Sequence, residues 1–262
     1  MSTTINQAKI FAYANTPAFK SSHKSDNPIK ADKSKEVTKS ELSCMSAEGI
    51  YIATKNKSKD IKADVSHKDG VKTVTIKDSN GKKLLSCPTF DEHIDRFKNK
   101  TIDIDDFHKI GEFKDKKVKL NNGKDFTGFI EDRKFPPYFS DDLDDVTNVY
   151  EYKDGKLVES TKWTAGDAIV KKYDDGELKS VVEYESTDDA MASRVSGFEL
   201  YSKDKAGNRI CTDYNYNDDT DSYDVSSVKT AKKDNDGAVV VDEVGENLFG
   251  EQYSVHHVFK KQ

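Results

Sequence analysis

The sequence predicts a mainly β protein: an antiparallel hairpin meander with a small α+β N-terminal module and a disordered N-terminal tail. Three observations lead there. Residues 149–163, "VYEYKDGKLVESTKW", and 169–185, "IVKKYDDGELKSVVEYE", repeat one pattern, each with an Asp-Gly pair between strand-like runs. Asp-Gly flanked by alternating apolar residues is the strongest short-range signal for a hairpin. Turn signals then recur at Gly207-Asn208, in the Asn/Asp run 217–222, at Asp236-Gly237 and from Gly245 to Gly250, with strand candidates between them. Finally, all five prolines lie at or before Pro137. Proline removes a ladder donor, so its absence from the second half suits paired strands.

In chain order, residues 1–42 are expected to be a disordered tail, rich in Ser, Lys and Asp with little periodicity. A short apolar patch there, Ile10, Phe11, Tyr13 and Phe19, could dock locally. Residues 43–132 form the small α+β module. In it "GIYIATK" is expected to be a strand, and "VKTVTIKDSNGKKLLS" a hairpin. "CPTFDEHIDRFKNK" is expected to be a helix. Phe90, Ile94 and Phe97 fall on one helical face, and Thr89 with Glu92 has the spacing of a capping box. "KVKLNNGKDFTGFIED" is expected to be a hairpin turning at Asn122-Gly123. Residues 133–146 read as a linker, and 147–262 as the antiparallel meander with short repeats.

If each Asp-Gly pair is a two-residue turn, Tyr152 faces Leu157 and Tyr150 faces Glu159 in the first hairpin. In the second, Tyr173 faces Leu178 and Ile169 faces Val182. The repeat therefore has a complete structural explanation without a ligand. "KKYDDGELKSVVEYE" and "DKAGNRICTDYNYND" resemble YD-type repeats, and "NNGKDFTGF" is similar to the MORN-like repeats of some bacterial antitoxin proteins. Both resemblances imply an antiparallel β-repeat and transfer no active site. The Tyr-to-Gly spacing at 173–176 is one residue shorter than the YD form, and the second MORN glycine is missing after Gly155 and Gly176.

Composition excludes several classes of function. Charged residues make up 34% of the chain and hydrophobic residues 34%, against about 25% and about 45–50% in typical domains. The net charge of −6 is uneven: residues 1–86 carry 16 Lys/Arg and 9 Asp/Glu (+7), residues 87–262 carry 26 and 39 (−13). An acidic body repels phosphates, so nucleic acid is not an expected partner. Three cysteines, Cys44, Cys87 and Cys211, have no C-x-x-C spacing, which argues against a disulfide framework and a zinc site. No apolar run is long enough for a membrane-spanning helix, and no secretory signal is expected at the N-terminus. A cytoplasmic location is the default expectation, with leaderless export left open.

Several polar runs resemble metal-binding loops but also read as plain turns. Asp213, Asn215, Asn217 and Asp224 sit at positions 1, 3, 5 and 12 of a calcium loop. Asp218, however, stands where glycine is needed, so a polar hairpin is expected instead. In "KKDNDGAVVVDE", Asp234, Asp236, Gly237 and Glu243 are in phase, but Lys232 takes the first ligand position. Asp103, Asp105, Asp106 and His108 read as a charged loop. His256 and His257 point to opposite faces of a strand and cannot chelate together. No phosphate-binding, dinucleotide-binding, zinc-protease or nucleophile-elbow motif is present. No catalytic, cofactor-binding or metal residue is therefore assigned, and no cofactor is expected. The expected function is a non-catalytic binding module whose partner is another protein. The alternatives are a hydrolase with an acidic site, or a calcium- or carbohydrate-binding adhesion module.

Overall fold

The computed structural model describes residues 46–57, 60–114, 117–134, 146–163, 167–186, 193–247 and 250–259. The expected tail, with Ile10, Phe11, Tyr13 and Phe19, lies outside them, as does most of the expected linker. The protein is mostly β and its sheets are almost wholly antiparallel. Three helices accompany sixteen strands among the described residues: α1 (Ala47–Lys57), α2 (Phe90–Asp95) and α3 (Ile104–Ile110). Strands β1 (Lys62–Lys68), β2 (Val71–Lys77) and β3 (Lys83–Pro88) form one sheet. Strands β5 (Gly111–Lys114) and β6 (Lys117–Leu120) form a two-stranded ribbon.

The long sheet is built from β4 (Thr101–Asp103), β7 (Gly128–Lys134), β8 (Val146–Lys153), β9 (Lys156–Trp163), β10 (Asp167–Asp174), β11 (Glu177–Ser186), β12 (Ser193–Lys203), β13 (Arg209–Asn217), β14 (Ser222–Lys233), β15 (Val239–Glu246) and β16 (Gln252–Phe259). Its order is β16-β15-β14-β13-β12-β11-β10-β9-β8-β7-β4. From β7 to β16 sequence neighbours are spatial neighbours, which is a meander. The sheet begins upstream of residue 147, because β7 pairs with β8 and the three-residue β4 joins β7 in parallel.

The chain divides into two compact units, residues 1–59 with 201–213 and 225–262, and residues 60–200 with 214–224. In the first, α1 buries Ala47, Ile50, Tyr51 and Ala53, while Cys211, Val228, Val240 and Val241 supply strand contributions to the core. The stretch "GIYIATK" is thus helical, contrary to the strand its β-branched residues suggest. Ser46 explains the difference: its Oγ accepts the Gly49 amide (3.3 Å), and its carbonyl accepts the Ile50 amide. Ala47, Ile50, Tyr51 and Thr54 then share one face at helical spacing.

In the second unit, Phe107, Val118, Phe126 and Ile130 form a buried cluster, with Ile102, Leu120 and Tyr152 packed against it. The charged loop expected at 101–110 is instead a strand and a helix. Asp103 caps α3 by accepting the Asp105 amide (2.9 Å), and Lys109 pairs with Asp106. The hairpin expected after β6 is reduced to a turn at Gly123 and a single bridge, Lys119 to Asp125. β7 goes to the long sheet instead. The expected α2 helix forms, but its capping box does not: Thr89 makes no side-chain cap bond, and Glu92 accepts the Lys72 amide (3.3 Å) from β2.

Candidate functional site

The two Asp-Gly hairpins are superimposable in their local logic. Asp154 and Gly155 have φ of 50° and 74°, Asp175 and Gly176 48° and 77°, the conformation that two-residue hairpin turns require. Tyr152 faces Leu157 and Tyr173 faces Leu178, as the spacing predicts. Each strand then carries a register shift, between Glu151 and Tyr152 and between Lys172 and Tyr173. The shift corrects the next expected pairs: Tyr150 faces Ser160 rather than Glu159, and Ile169 faces Glu183 rather than Val182.

This shift builds the main polar cluster of the second unit. Glu151 lies opposite Glu159, Glu159 opposite Lys172, and Lys172 opposite Ser180, one row across four strands. The next row runs Val149, Thr161, Val170, Val182, and the one after it Thr147, Trp163, Ala168, Tyr184. Helix α2 lies over these rows. The Phe90 ring is 5.9 Å from that of Tyr184, and Phe97, just beyond the helix, stacks on Trp163 at 5.4 Å.

Two carboxylates directly opposite would repel. Arg96 resolves this from above, donating to Glu159 Oε1 (2.9 Å) and to Glu151 Oε2 (2.5 Å). Glu159 is 5% exposed. Burial pushes its carboxyl above the usual range, against the opposing pull of Arg96 and Lys172. His93 is fully buried, and its Nε2 lies 2.8 Å from Thr161 Oγ1. Burial, with Arg96 and Lys172 nearby, lowers its pKa to about 3, so the ring is neutral at pH 7. Arg96 can only donate, and it faces Nδ1 at 3.5 Å. This assigns the proton to Nε2, which donates to Thr161. Nearby, the Tyr184 hydroxyl donates to the Pro88 carbonyl (2.9 Å), and burial raises the Cys87 thiol pKa. Every charged member of the cluster thus has a partner within it.

A shallow hollow of about 290 Å³ borders these rows at Ala168 and Tyr184 and is otherwise lined by Asp167, Ile169, Glu183, Glu185 and Ser196. The Glu183 carboxyl lies above its usual range through partial desolvation and then the charge of Glu199, with Lys171 opposing. Glu159 does not line this hollow.

The residues weighed as metal ligands are engaged in turns and pairs. Asn217 Nδ2 donates to Asp224 (2.8 Å), its Oδ1 accepts the Asp219 amide (3.0 Å), and Asp218 pairs with Arg194. Asp234 accepts the Asp236 and Ala238 amides. Glu243 accepts the Tyr253 hydroxyl (2.9 Å), and His256 meets Asp242 while His257 lies opposite Val241. Among the described residues no three His, Cys, Asp or Glu side chains cluster as a metal site would need. Nor is any described helix long and apolar enough to cross a membrane.

The edges of the sheets differ in kind. Seven consecutive exposed residues make up β1, which carries Lys62, Asp64 and Lys68. β4 is three residues long, and β5 and β6 four each. Short length and charge are how native sheets protect an edge. β16 has neither. Its eight residues, "QYSVHHVF", include no Asp, Glu, Lys, Arg or Pro, and its register with β15 is unbroken. Sequence reading passed over this strand because a neutral run is conspicuous only once it is known to be an edge.

No family model matches this chain, and no curated protein matches it. Among solved structures, it is similar to the crystal structure of a DUF3836 family protein from Bacteroides vulgatus, at 10% identity and a TM-score of 0.29. That match covers 36% of this chain and 99% of the other.

Proposed function

We propose that the protein is a non-catalytic interaction module that takes up an extended segment of another polypeptide along β16. The observation that carries this reading is the neutral, regular edge strand of the long sheet, which has neither the shortness nor the charge of the edges at β1, β4, β5 and β6. An outward-facing ladder of backbone amides and carbonyls gives affinity in strand addition, and alternate side chains give selectivity. Along β16, Gln252, Ser254, His256 and Val258 are exposed, while Tyr253, Val255, His257 and Phe259 are half-buried. An added strand would extend both faces. The polar cluster under α2 supports the same reading, because Glu159, Arg96 and His93 serve one another.

Titration of extended, uncharged peptides of alternating apolar and polar residues against the full chain tests the proposal by fluorescence anisotropy. Saturable binding that slows amide exchange along β16 is expected. Binding that leaves β16 exchange unchanged would remove the reading.

A further inference from the structure

Resting on the reading of β16 as a strand-accepting edge, we infer that its partner is a second copy of this chain, joined by antiparallel β16–β16 pairing about a two-fold axis. The charge distribution is the first argument. One residue in three is charged and the net charge is −6, so two copies repel over most approaches. At β16 they meet along eight residues with no formal charge apart from any protonated histidine.

Symmetry is the second argument. Residues opposite one another in an antiparallel pair lie on the same face, so a two-fold axis must be centred on a residue. Centred on His256, it would set two imidazoles against each other, each already held by its own Asp242. Centred on Val255, it sets Val255 against Val255, Tyr253 against His257, Ser254 against His256 and Gln252 against Val258. The second register places a β-branched pair at the centre, a hydroxyl beside each imidazole and no like charges opposite. The structure thus favours the Val255 centre.

A single strand pair is a small interface, below the roughly 1,200 Å² of a standard stable complex, so the dimer is concentration-dependent. Light scattering of the full chain should give twice the 29.5 kDa chain mass at about 100 µM, falling towards the chain mass at about 1 µM. Q252K/V258K sets lysine opposite lysine at both ends, on the exposed face where folding is not disturbed. It should be monomeric at every concentration. Q252K/V258E makes the same two positions complementary and should restore the dimer.

Wild-type protein that stays at chain mass at about 100 µM would overturn the inference. So would a dimer that survives Q252K/V258K, since another surface would then hold it. A chain that dimerises only after residues 1–42 are deleted would show that the tail occupies the edge, and would also overturn it. If the full chain is monomeric yet β16 amides are protected by added peptides, the inference fails and the proposed function stands. If neither occurs, both fail.

Discussion

Hairpins β8–β9 and β10–β11 share a turn, a register shift and a Tyr–Leu pair, yet the molecule uses them differently. The first is clasped. Its Gly155 is buried, donates its amide to the Phe126 carbonyl (2.7 Å) and accepts the Val118 amide (2.9 Å), while the Asp154 amide donates to Thr127 Oγ1 (2.9 Å). Tyr152 packs on the Phe107–Phe126 cluster, 6.3 Å from the Phe126 and Phe113 rings. The second hairpin is open: Gly176 is exposed, and a Cβ built there meets nothing within 4 Å. Tyr173 approaches the Ser160 hydroxyl at 3.5 Å. Its neighbours at the polar row are Lys172 and Ser180, where the first hairpin has Glu151 and Glu159. What differs at the turn is therefore the cover, supplied to the first hairpin by α3 and the β5–β6 ribbon, whereas α2 lies over strands of both.

Among substitutions, the largest expected effect comes from removing the charge of the α2 cover. Arg96→Met leaves Glu151 and Glu159 facing each other with Lys172, 4.0 Å from Glu159, as the remaining nearby cation. It should destabilise by about 3 kcal/mol in denaturant melts, at the lower end for a broken buried pair because Arg96 itself is partly exposed. Adding Glu159→Gln should recover part of the loss. No recovery would mean that Arg96 acts through packing alone.

Next come the tyrosines. Tyr152→Ala removes a ring from a packed aromatic cluster and should cost about 3 kcal/mol, while Tyr173→Ala should cost about 1 kcal/mol. Equal losses would make the two hairpins equivalent and break the comparison. Glycine substitution sharpens it further. Both Gly155→Ala and Gly176→Ala force alanine into positive φ, worth about 1 kcal/mol. At Gly155 the new Cβ would also meet the Val118 carbonyl oxygen at 2.9 Å and Asp125 at 3.3 Å, so its cost should be at least about twice as large.

Much of this was legible in the sequence, and the gaps have physical causes. The turns were readable because Asp-Gly adopts positive φ locally, and the Tyr–Leu pairs followed from the turns. The register shifts were not, because a one-residue bulge leaves no mark on composition. Without them Glu159 could not be placed opposite Glu151, nor the need for Arg96 inferred. The helical state of 47–57 was hidden by alternating β-branched residues, and its capping serine was overlooked. His93 lies between the apolar positions that define α2, so the pattern gives it no inward place.

Acid titration probes the same cover through His93, with an effect that grows as pH falls. His93 stays neutral in the folded state down to about pH 3, whereas the unfolded histidine protonates near 6.5. Its contribution to stability is therefore complete above 6.5 and lost as pH falls towards 3, at about 1.4 kcal/mol per pH unit in between. Glu159 acts in the opposite sense, since its raised pKa favours the folded state on protonation. The His93 slope should begin first as pH falls and should disappear in His93→Gln. A wild-type stability flat from pH 6.5 to 5 would contradict a buried neutral imidazole.

The central claim is that two hairpins with the same turn, register shift and Tyr–Leu pair differ at their turns in what covers them, and amide hydrogen exchange of the unmodified protein tests it most directly at two glycines. The Gly155 amide, bonded to the Phe126 carbonyl beneath the β6 clasp, should exchange slowly, by a factor on the order of 10³ relative to an open turn. The exposed Gly176 amide should exchange near the rate of an unprotected peptide. Similar rates at the two positions would contradict the account.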